Sequence, residues 1–133
     1  MIIKITPDKE KALSLLEAAS DREEISKQLN ESKFPSNFLE NMYETCRELV
    51  SSIMLSDGFR TIGDSAHKEA IEYLKNYKEF KTEEISLLDD LRVKRNKFMY
   101  EGKKMTFLYL KTNKSKIKEI IKKLKVIATN KLK

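Results

Sequence analysis

Apolar side chains recur every three or four positions along most of this chain, which is the spacing of amphipathic helices. The clearest stripe lies between positions 38 and 53, where a spacing close to a heptad suits the core of a bundle. Its members are Phe38, Met42, Cys46, Leu49 and Ile53. The pattern predicts five helical segments, the first broken near Ser20 into two pieces. Their expected bounds are 7–19 with 21–30, 37–55, 65–77, 82–102 and 115–130.

Local signals predict where these helices begin and end. Side chains that can accept a hydrogen bond from a free backbone N–H precede most of the segments. The expected N-caps are Thr6, Ser36, Asp64 or Ser65, and Thr82. Gly102 is expected to end the fourth segment, because glycine readily adopts the left-handed conformation at helix C-termini. The apolar run 105–110 is too short to distinguish a strand, a helix or a packed loop, and we interpret it as a connector docked on the bundle.

Short connections between helices favour antiparallel neighbours, so the expected fold is all-α, an up-and-down bundle of four to five helices. With 133 residues, 40% of them apolar, 36% charged and only three glycines, the chain is expected to form one domain over 1–133. The single cysteine, Cys46, is expected to be a small buried hydrophobe. One cysteine and one histidine exclude a Cys/His zinc cluster within one chain, which leaves only carboxylates for a metal site. We predict no cofactor and no metal.

The net charge of +6 is unevenly distributed. Residues 103–133 contain 11 lysines and one acid, a net charge of +10, while the preceding part holds 16 bases and 20 acids. A lysine-rich amphipathic helix attracts polyanions such as nucleic acids. The apolar N-terminal stretch is short for a secretion signal, and no run has the roughly 20 apolar residues of a membrane span. We therefore expect a soluble, cytoplasmic protein with no membrane partner.

An arginine lies in the middle of the apolar face of the helix predicted over 82–102. With Arg95 at zero on a helical wheel, four apolar side chains fall within about 60° of it. They are Leu88, Leu91, Phe98 and Met99. A buried unpaired guanidinium costs several kcal/mol or more, so Arg95 must contact a carboxylate, a phosphate or water. It either lines a phosphate-binding cleft or pairs with a carboxylate of a neighbouring helix, such as Glu44 or Asp57.

The segment Arg95-Asn96-Lys97-Phe98-Met99-Tyr100 resembles the motif of the HEPN domains. In that family an arginine, often followed by asparagine, precedes a histidine by four to six residues on the fourth main helix. Tyr100 stands at the histidine position here. The turn at 57–60 and the helix start at 65–74 also look like the region between the second and third helices of the family. The likeness extends over roughly residues 10 to 125.

This resemblance implies a helical bundle that often forms homodimers, with the arginine motif of each protomer lining a shared cleft. In active members the cleft cleaves RNA without metal, the arginine stabilising phosphate and the histidine transferring a proton. Many members are toxins or defence proteins that pair with a nucleotidyltransferase. Others have lost catalysis and bind nucleic acid, nucleotide or protein.

Carried over to this chain, the resemblance makes Arg95 and Tyr100 the candidate catalytic residues. The candidate residues for binding nucleic acid or phosphate are Arg92, Arg95, Asn96 and Tyr100. A tyrosine hydroxyl ordinarily has a pKa of about 10 and an imidazole about 6.5, so tyrosine is the poorer base at neutral pH. For Tyr100 the simplest role is packing of its ring at the helix end. His67, at the start of the third helix, is the other candidate for proton transfer, although a structural or exposed position is the simpler expectation.

Three functions remain open from the sequence. The first is binding of RNA or nucleotide phosphate in a cleft at a dimer interface, with weak or no cleavage. The second is a metal-independent endoribonuclease of a toxin–antitoxin or defence system, in which Tyr100 or His67 replaces the missing histidine. The third is a non-enzymatic module that pairs with a nucleotidyltransferase and uses Arg95 for assembly.

Overall fold

Five α-helices and two short strands make up most of the chain in a computed structural model that describes residues 1–133. The helices are α1 (Lys9–Ser26), α2 (Pro35–Asp57), α3 (Ala66–Tyr73), α4 (Thr82–Glu101) and α5 (Phe107–Lys131). The strands are β1 (Ile2–Lys4) and β2 (Phe59–Thr61), which pair in antiparallel orientation. The prediction of an all-α helical bundle is confirmed. None of the helices is both long and apolar enough to cross a membrane.

The helices α2 and α5 run parallel through the centre of the bundle. At one end of the pair, the ammonium of Lys114 lies 5.3 Å from the centroid of the Phe38 ring. At the other end, Lys131 Nζ donates to Asp57 Oδ1 at 2.5 Å. The N-terminal ends of α2 and α5 therefore lie together, as do their C-terminal ends, so the two helices are parallel.

The helices α1 and α4 flank this central pair and share no substantial contact with each other. Ser52 Oγ near the end of α2 donates to the Ala12 carbonyl near the start of α1, at 2.7 Å. Lys123 late in α5 donates to Glu84 early in α4, at 2.8 Å. Both flanking helices are therefore antiparallel to the central pair, and the four long helices alternate in direction along the chain.

The predicted apolar stripe of α2 forms the centre of one hydrophobic core. All five of its members are buried, together with the apolar stripe of α5, which consists of Ile117, Ile120, Ile121, Leu124 and Ile127. Cys46 is 1% exposed, so its predicted role as a buried hydrophobe is confirmed. Burial, helped by the charge of Glu23, raises the pKa of the Cys46 thiol to about 12. The thiol is therefore neutral at physiological pH and is not a nucleophile.

The first helix begins later than predicted and is not broken. Thr6 does not cap it, because the chain is still extended there, with the Ile5 N–H donating to the Gly58 carbonyl at 2.9 Å. Asp8 is the N-cap, and its side chain accepts from the Lys11 N–H at 3.0 Å. The break near Ser20 is absent, since α1 continues to Ser26 with one face packed on α2.

Two other predicted caps were wrong. Ser36 lies inside α2, which begins at Pro35, and its hydroxyl hydrogen-bonds instead to the backbone N–H and carbonyl of Met105 at 2.7 and 3.1 Å. It therefore joins the connector before α5 to α2. Thr82 is the first residue of α4, and the Glu84 side chain accepts from the preceding Lys81 N–H at 2.9 Å.

The last helix starts eight residues before the predicted Ser115. Thr106 is its N-cap, and the Thr106 hydroxyl accepts from the Tyr109 N–H at 3.0 Å. The predicted connector is therefore helical from Phe107 onward. The third helix starts after Ser65, as one of the two alternatives predicted, but ends at Tyr73 and is followed by a single 3₁₀ turn rather than continuing to 77.

Two glycines end helices in the left-handed conformation. Gly102 follows α4 with φ of 69°, as predicted. Gly58 follows α2 with φ of 89°, and a Cβ there would lie 3.0 Å from the Ile5 carbonyl oxygen. This close approach lets β1 pair with β2, within a region predicted from the sequence to be a loop.

Candidate phosphate-binding site

Arg95 lies at the contact between α4 and α2, with a side chain only 12% exposed. Its Nη2 donates to Glu44 Oε1 at 2.6 Å, and its guanidinium carbon lies 5.3 Å from the centroid of the Tyr43 ring. Of the two carboxylates considered as partners, Glu44 is therefore the correct one. Asp57 instead accepts from Lys131. The apolar face around Arg95 is buried at Leu88 and Leu91, as the helical wheel predicts, whereas Met99, which the wheel places on the same face, is 49% exposed.

Glu44 is shared between two arginines. Arg47, one turn further along α2, donates through Nε to Glu44 Oε2 at 2.8 Å. Arg92, one turn before Arg95 on α4, pairs with Asp89 at 2.9 Å. We call these five residues the arginine cluster. Three guanidinium groups face two carboxylates, so the cluster carries a net charge of +1 although each arginine has a carboxylate partner.

Several N–H donors of the arginine cluster make no hydrogen bond within the protein. Arg95 Nε is buried and has no hydrogen-bond partner in the protein. Arg47 uses only its Nε in the pair with Glu44, and its side chain is 34% exposed. A guanidinium presents five donors in a planar fork that matches a phosphate, and it stays charged at every relevant pH. The cluster therefore has both the charge and the donors that an oxyanion requires.

The only histidine of the chain lies beside the arginine cluster. His67, in the first turn of α3, lines a small cavity together with Tyr43 and Arg47. Burial lowers the pKa of His67, and the charges of Arg47, Arg95 and Arg92 lower it further against the opposing charge of Glu44. His67 is therefore mainly neutral at pH 7, in the form that accepts a proton.

The structure brings together some of the predicted site residues and leaves one apart. Asn96 Oδ1 accepts from Arg95 Nη1 at 3.2 Å, which helps to hold the guanidinium. Tyr100 is 79% exposed and makes neither a hydrogen bond nor a cation–π contact within the protein. The expectation that its ring packs at the helix end was wrong, because Tyr100 lies on the outer flank of α4, away from the bundle.

Sequence reasoning missed Arg47 as a site residue. The expectation that His67 is a structural or exposed side chain is confirmed, since His67 is exposed, but its position beside the arginine cluster was not predicted. For Arg47 a signal existed, since it follows Glu44 by three residues on the same helix. For His67 no local signal existed. Its position depends on how the short helix α3 packs against the long helices, which local periodicity does not determine.

The positive charge of α5 is partly neutralised inside the protein. Four of the 11 lysines in residues 103–133 form ion pairs with carboxylates of other elements. These lysines are Lys114, Lys123, Lys125 and Lys131. The other seven form no ion pair. No group of three or more His, Cys, Asp or Glu side chains is placed to hold a metal ion.

Comparisons with protein-family models, with curated proteins and with solved structures find no match for this chain. The resemblance to the HEPN domains therefore stays a prediction, carried by the motif at 95–100 and its place on α4. The arginine cluster itself is the structural basis for assigning a function.

Proposed function

We propose that this chain is a cytoplasmic, homodimeric protein that binds RNA or nucleotide phosphate at the arginine cluster, with weak or no cleavage. The observation that carries the proposal is the sharing of Glu44 by Arg95 and Arg47. An ion pair that served stability alone would need one arginine. The second arginine leaves a surplus positive charge beside free N–H donors, which favours an anionic ligand.

Glu44 positions Arg95 in this proposal. The Glu44 carboxylate and the Tyr43 ring hold the Arg95 guanidinium in one orientation, and Asn96 constrains its other edge. A donor that is already oriented loses little conformational entropy when a ligand binds. Arg47 and Arg92, each of which uses only Nε in its ion pair, would then close on the phosphate through their other nitrogens.

Exposed apolar side chains on α4 support the dimer. Val93, Met99 and Tyr100 lie on the outer flank of this helix, on the same side as Arg92 and Asn96. Large exposed apolar groups gathered on one helix face favour contact with another protein surface. In a two-fold dimer formed by this face, the two arginine clusters would lie near a common cleft.

A second candidate function, metal-independent RNA cleavage, is favoured by the position of His67. A neutral imidazole beside a phosphate-binding arginine has the right protonation state for a general base. In this alternative His67 abstracts the proton of the ribose 2′-hydroxyl, and the 2′-oxygen forms a bond to phosphorus while the bond from phosphorus to the 5′-oxygen breaks. The leaving 5′-oxygen takes a proton from water, and Arg95 stabilises the charge that develops on the phosphate. The candidate from the motif, Tyr100, would then contact the nucleic acid rather than transfer the proton.

A fluorescently labelled single-stranded RNA, in buffer that contains EDTA, tests binding and cleavage in the same experiment. Anisotropy over a salt series measures binding, and gel electrophoresis of the same samples measures cleavage. The variant is Arg47→Gln, which leaves the buried Arg95–Glu44 pair intact. The matched control is Arg60→Gln, which removes the same charge from an exposed position on β2.

We expect Arg47→Gln to weaken RNA binding and to reduce the slope of log K against log salt by about 0.7, the value for one lost contact to a single-stranded phosphate. Arg60→Gln should bind as the wild type does. Equal affinities for both variants would refute binding at the arginine cluster. Cleavage by the wild type that is lost in His67→Gln would replace the binding function by the ribonuclease function.

A further inference from the structure

A cleft of about 600 Å³ opens between α1, α2 and α5, on the side of the bundle away from α4. Its floor includes Phe38 and Met42 of α2 and Ile121 of α5, all of them buried core residues. The α2 residues that line it face away from Glu44 and Arg47 on the same helix. The cleft is therefore separate from the arginine cluster, and its volume is in the range of small-molecule sites.

The rim of this cleft is positively charged. Lys118, Lys122 and Lys125 line it from α5 within two helical turns. The only carboxylate in the lining is that of Glu23, and it is paired with Lys125 at 2.7 Å. Lys118 and Lys122 form no ion pair. Their aliphatic stems extend the apolar wall, while their ammonium groups remain at the rim.

The polar groups of the floor are already hydrogen-bonded within the protein. The Thr45 hydroxyl donates to the Asn41 carbonyl at 2.9 Å. The Asn41 side-chain amide donates to the Arg22 carbonyl at 2.9 Å, and its oxygen accepts from Arg22 Nη1 at 3.3 Å. The floor therefore offers no free pattern of donors and acceptors with which to recognise a nucleobase edge. Apolar contact and positive charge remain as the means of recognition.

We propose that this cleft binds an amphipathic organic anion, such as a medium-length acyl chain with a carboxylate head. The chain lies on the floor against Met42 and Ile121. The carboxylate lies at the rim, where Lys118 and Lys122 have no carboxylate of the protein to neutralise them. This site is independent of the proposed function, because it shares no residue with the arginine cluster.

The test uses octanoate as the probe, with binding to the full chain measured by isothermal titration calorimetry. Three comparison ligands separate the two means of recognition: 1-octanol lacks the charge, inorganic phosphate lacks the chain, and hexanoate has a shorter chain. We expect octanoate to bind at least tenfold more tightly than each of octanol and phosphate, and more tightly than hexanoate. Absence of octanoate binding at millimolar concentration would overturn the proposal, as would equal affinity for octanol or phosphate.

Two charge reversals on α5 locate the site. Lys122→Glu places a negative charge on the rim, whereas Lys116→Glu makes the same change at an exposed position of the same helix outside the cleft. We expect Lys122→Glu to weaken octanoate binding about tenfold or more and Lys116→Glu to leave it within about twofold. Equal weakening by both would mean that octanoate responds only to the overall charge of α5, and the proposed cleft would be wrong. Thermal unfolding of both variants checks that each is folded.

Discussion

Replacing Glu44 by glutamine tests the central ion pair of the structure. In the wild type the Glu44 carboxylate is 7% exposed and accepts from Arg95, which is 12% exposed, at 2.6 Å. Removing one partner of a buried ion pair costs about 3–5 kcal/mol, because the other charge is left in the interior without compensation. The contact of Glu44 with Arg47 adds little, since Arg47 is about one third exposed and water replaces part of the interaction.

The glutamine oxygen can still accept one hydrogen bond, so the lower end of this range applies. We expect Glu44→Gln to lower the free energy of unfolding by about 3 kcal/mol, which corresponds to a fall in Tm of about 10 °C for a chain of this size. The assay is urea unfolding at pH 7 followed by far-ultraviolet circular dichroism. A double-mutant cycle with Arg95→Gln then measures the coupling between the two side chains.

The matched control for this variant is Glu24→Gln. Glu24 also pairs with a basic residue, Lys27, but both side chains are more than 70% exposed. Exposed pairs of this kind contribute about 0–1 kcal/mol. If Glu44→Gln destabilises the protein no more than Glu24→Gln, or if the cycle shows no coupling between Glu44 and Arg95, the buried ion pair between these two side chains does not exist in solution.

Three further predictions concern His67, Asp57 and Gly58. NMR titration should give His67 a pKa below its usual 6.5, because of burial and the neighbouring arginines. The stability contributed by the neutral form of His67 should fall as the pH drops below about 6.5. A measured pKa above 6.5 would contradict this prediction. For Asp57, burial raises the pKa, but hydrogen bonds from a lysine and two tyrosines outweigh burial and lower it. Asp57→Asn should therefore destabilise the protein at neutral pH, and its difference from wild type in unfolding free energy should shrink as the pH falls below about 4. A difference that grows as the pH falls would contradict this. Gly58→Ala should cost more than Gly63→Ala in chemical unfolding, because both glycines have positive φ but only Gly58 has a backbone oxygen 3.0 Å from the added Cβ; equal costs would contradict the close approach.

The long helices could be predicted from the sequence because their apolar stripes repeat over several turns. The second helix was predicted to end at 55, and α2 ends two residues later at Asp57. The two strands could not be predicted, since three residues each are too few to show a period of two. They form because Gly58 allows the N-terminal strand to approach the end of α2.

Helix starts were the weakest part of the prediction. Thr6, Ser36 and Thr82 all have side chains suited to capping, yet none of them caps a helix in the structure. At Ser36 the hydroxyl serves a tertiary contact with Met105 instead. Capping propensity is a local property, and a competing long-range hydrogen bond overrides it.

Some features of the candidate site could be predicted from the sequence and others could not. The pairing of Arg95 with Glu44 could be anticipated, because a guanidinium on an apolar face requires an acceptor from a neighbouring helix. The proximity of His67 could not, because it depends on the packing of α3. The exposure of Tyr100 likewise reflects its position on the outer flank of α4. Contact of Tyr100 and Asn96 with a ligand stays a prediction from the motif.

The most direct test of phosphate binding at the arginine cluster is an NMR titration of the isotope-labelled protein with a short single-stranded RNA. Arginine side chains and histidine rings have resolved signals, so binding can be assigned to individual groups. We predict that the largest shifts occur at Arg47, Arg92, Arg95 and His67. Shifts confined to the lysines of α5, with the arginine and histidine signals unchanged, would contradict phosphate binding at the arginine cluster and would place the RNA on the lysine-rich helix instead.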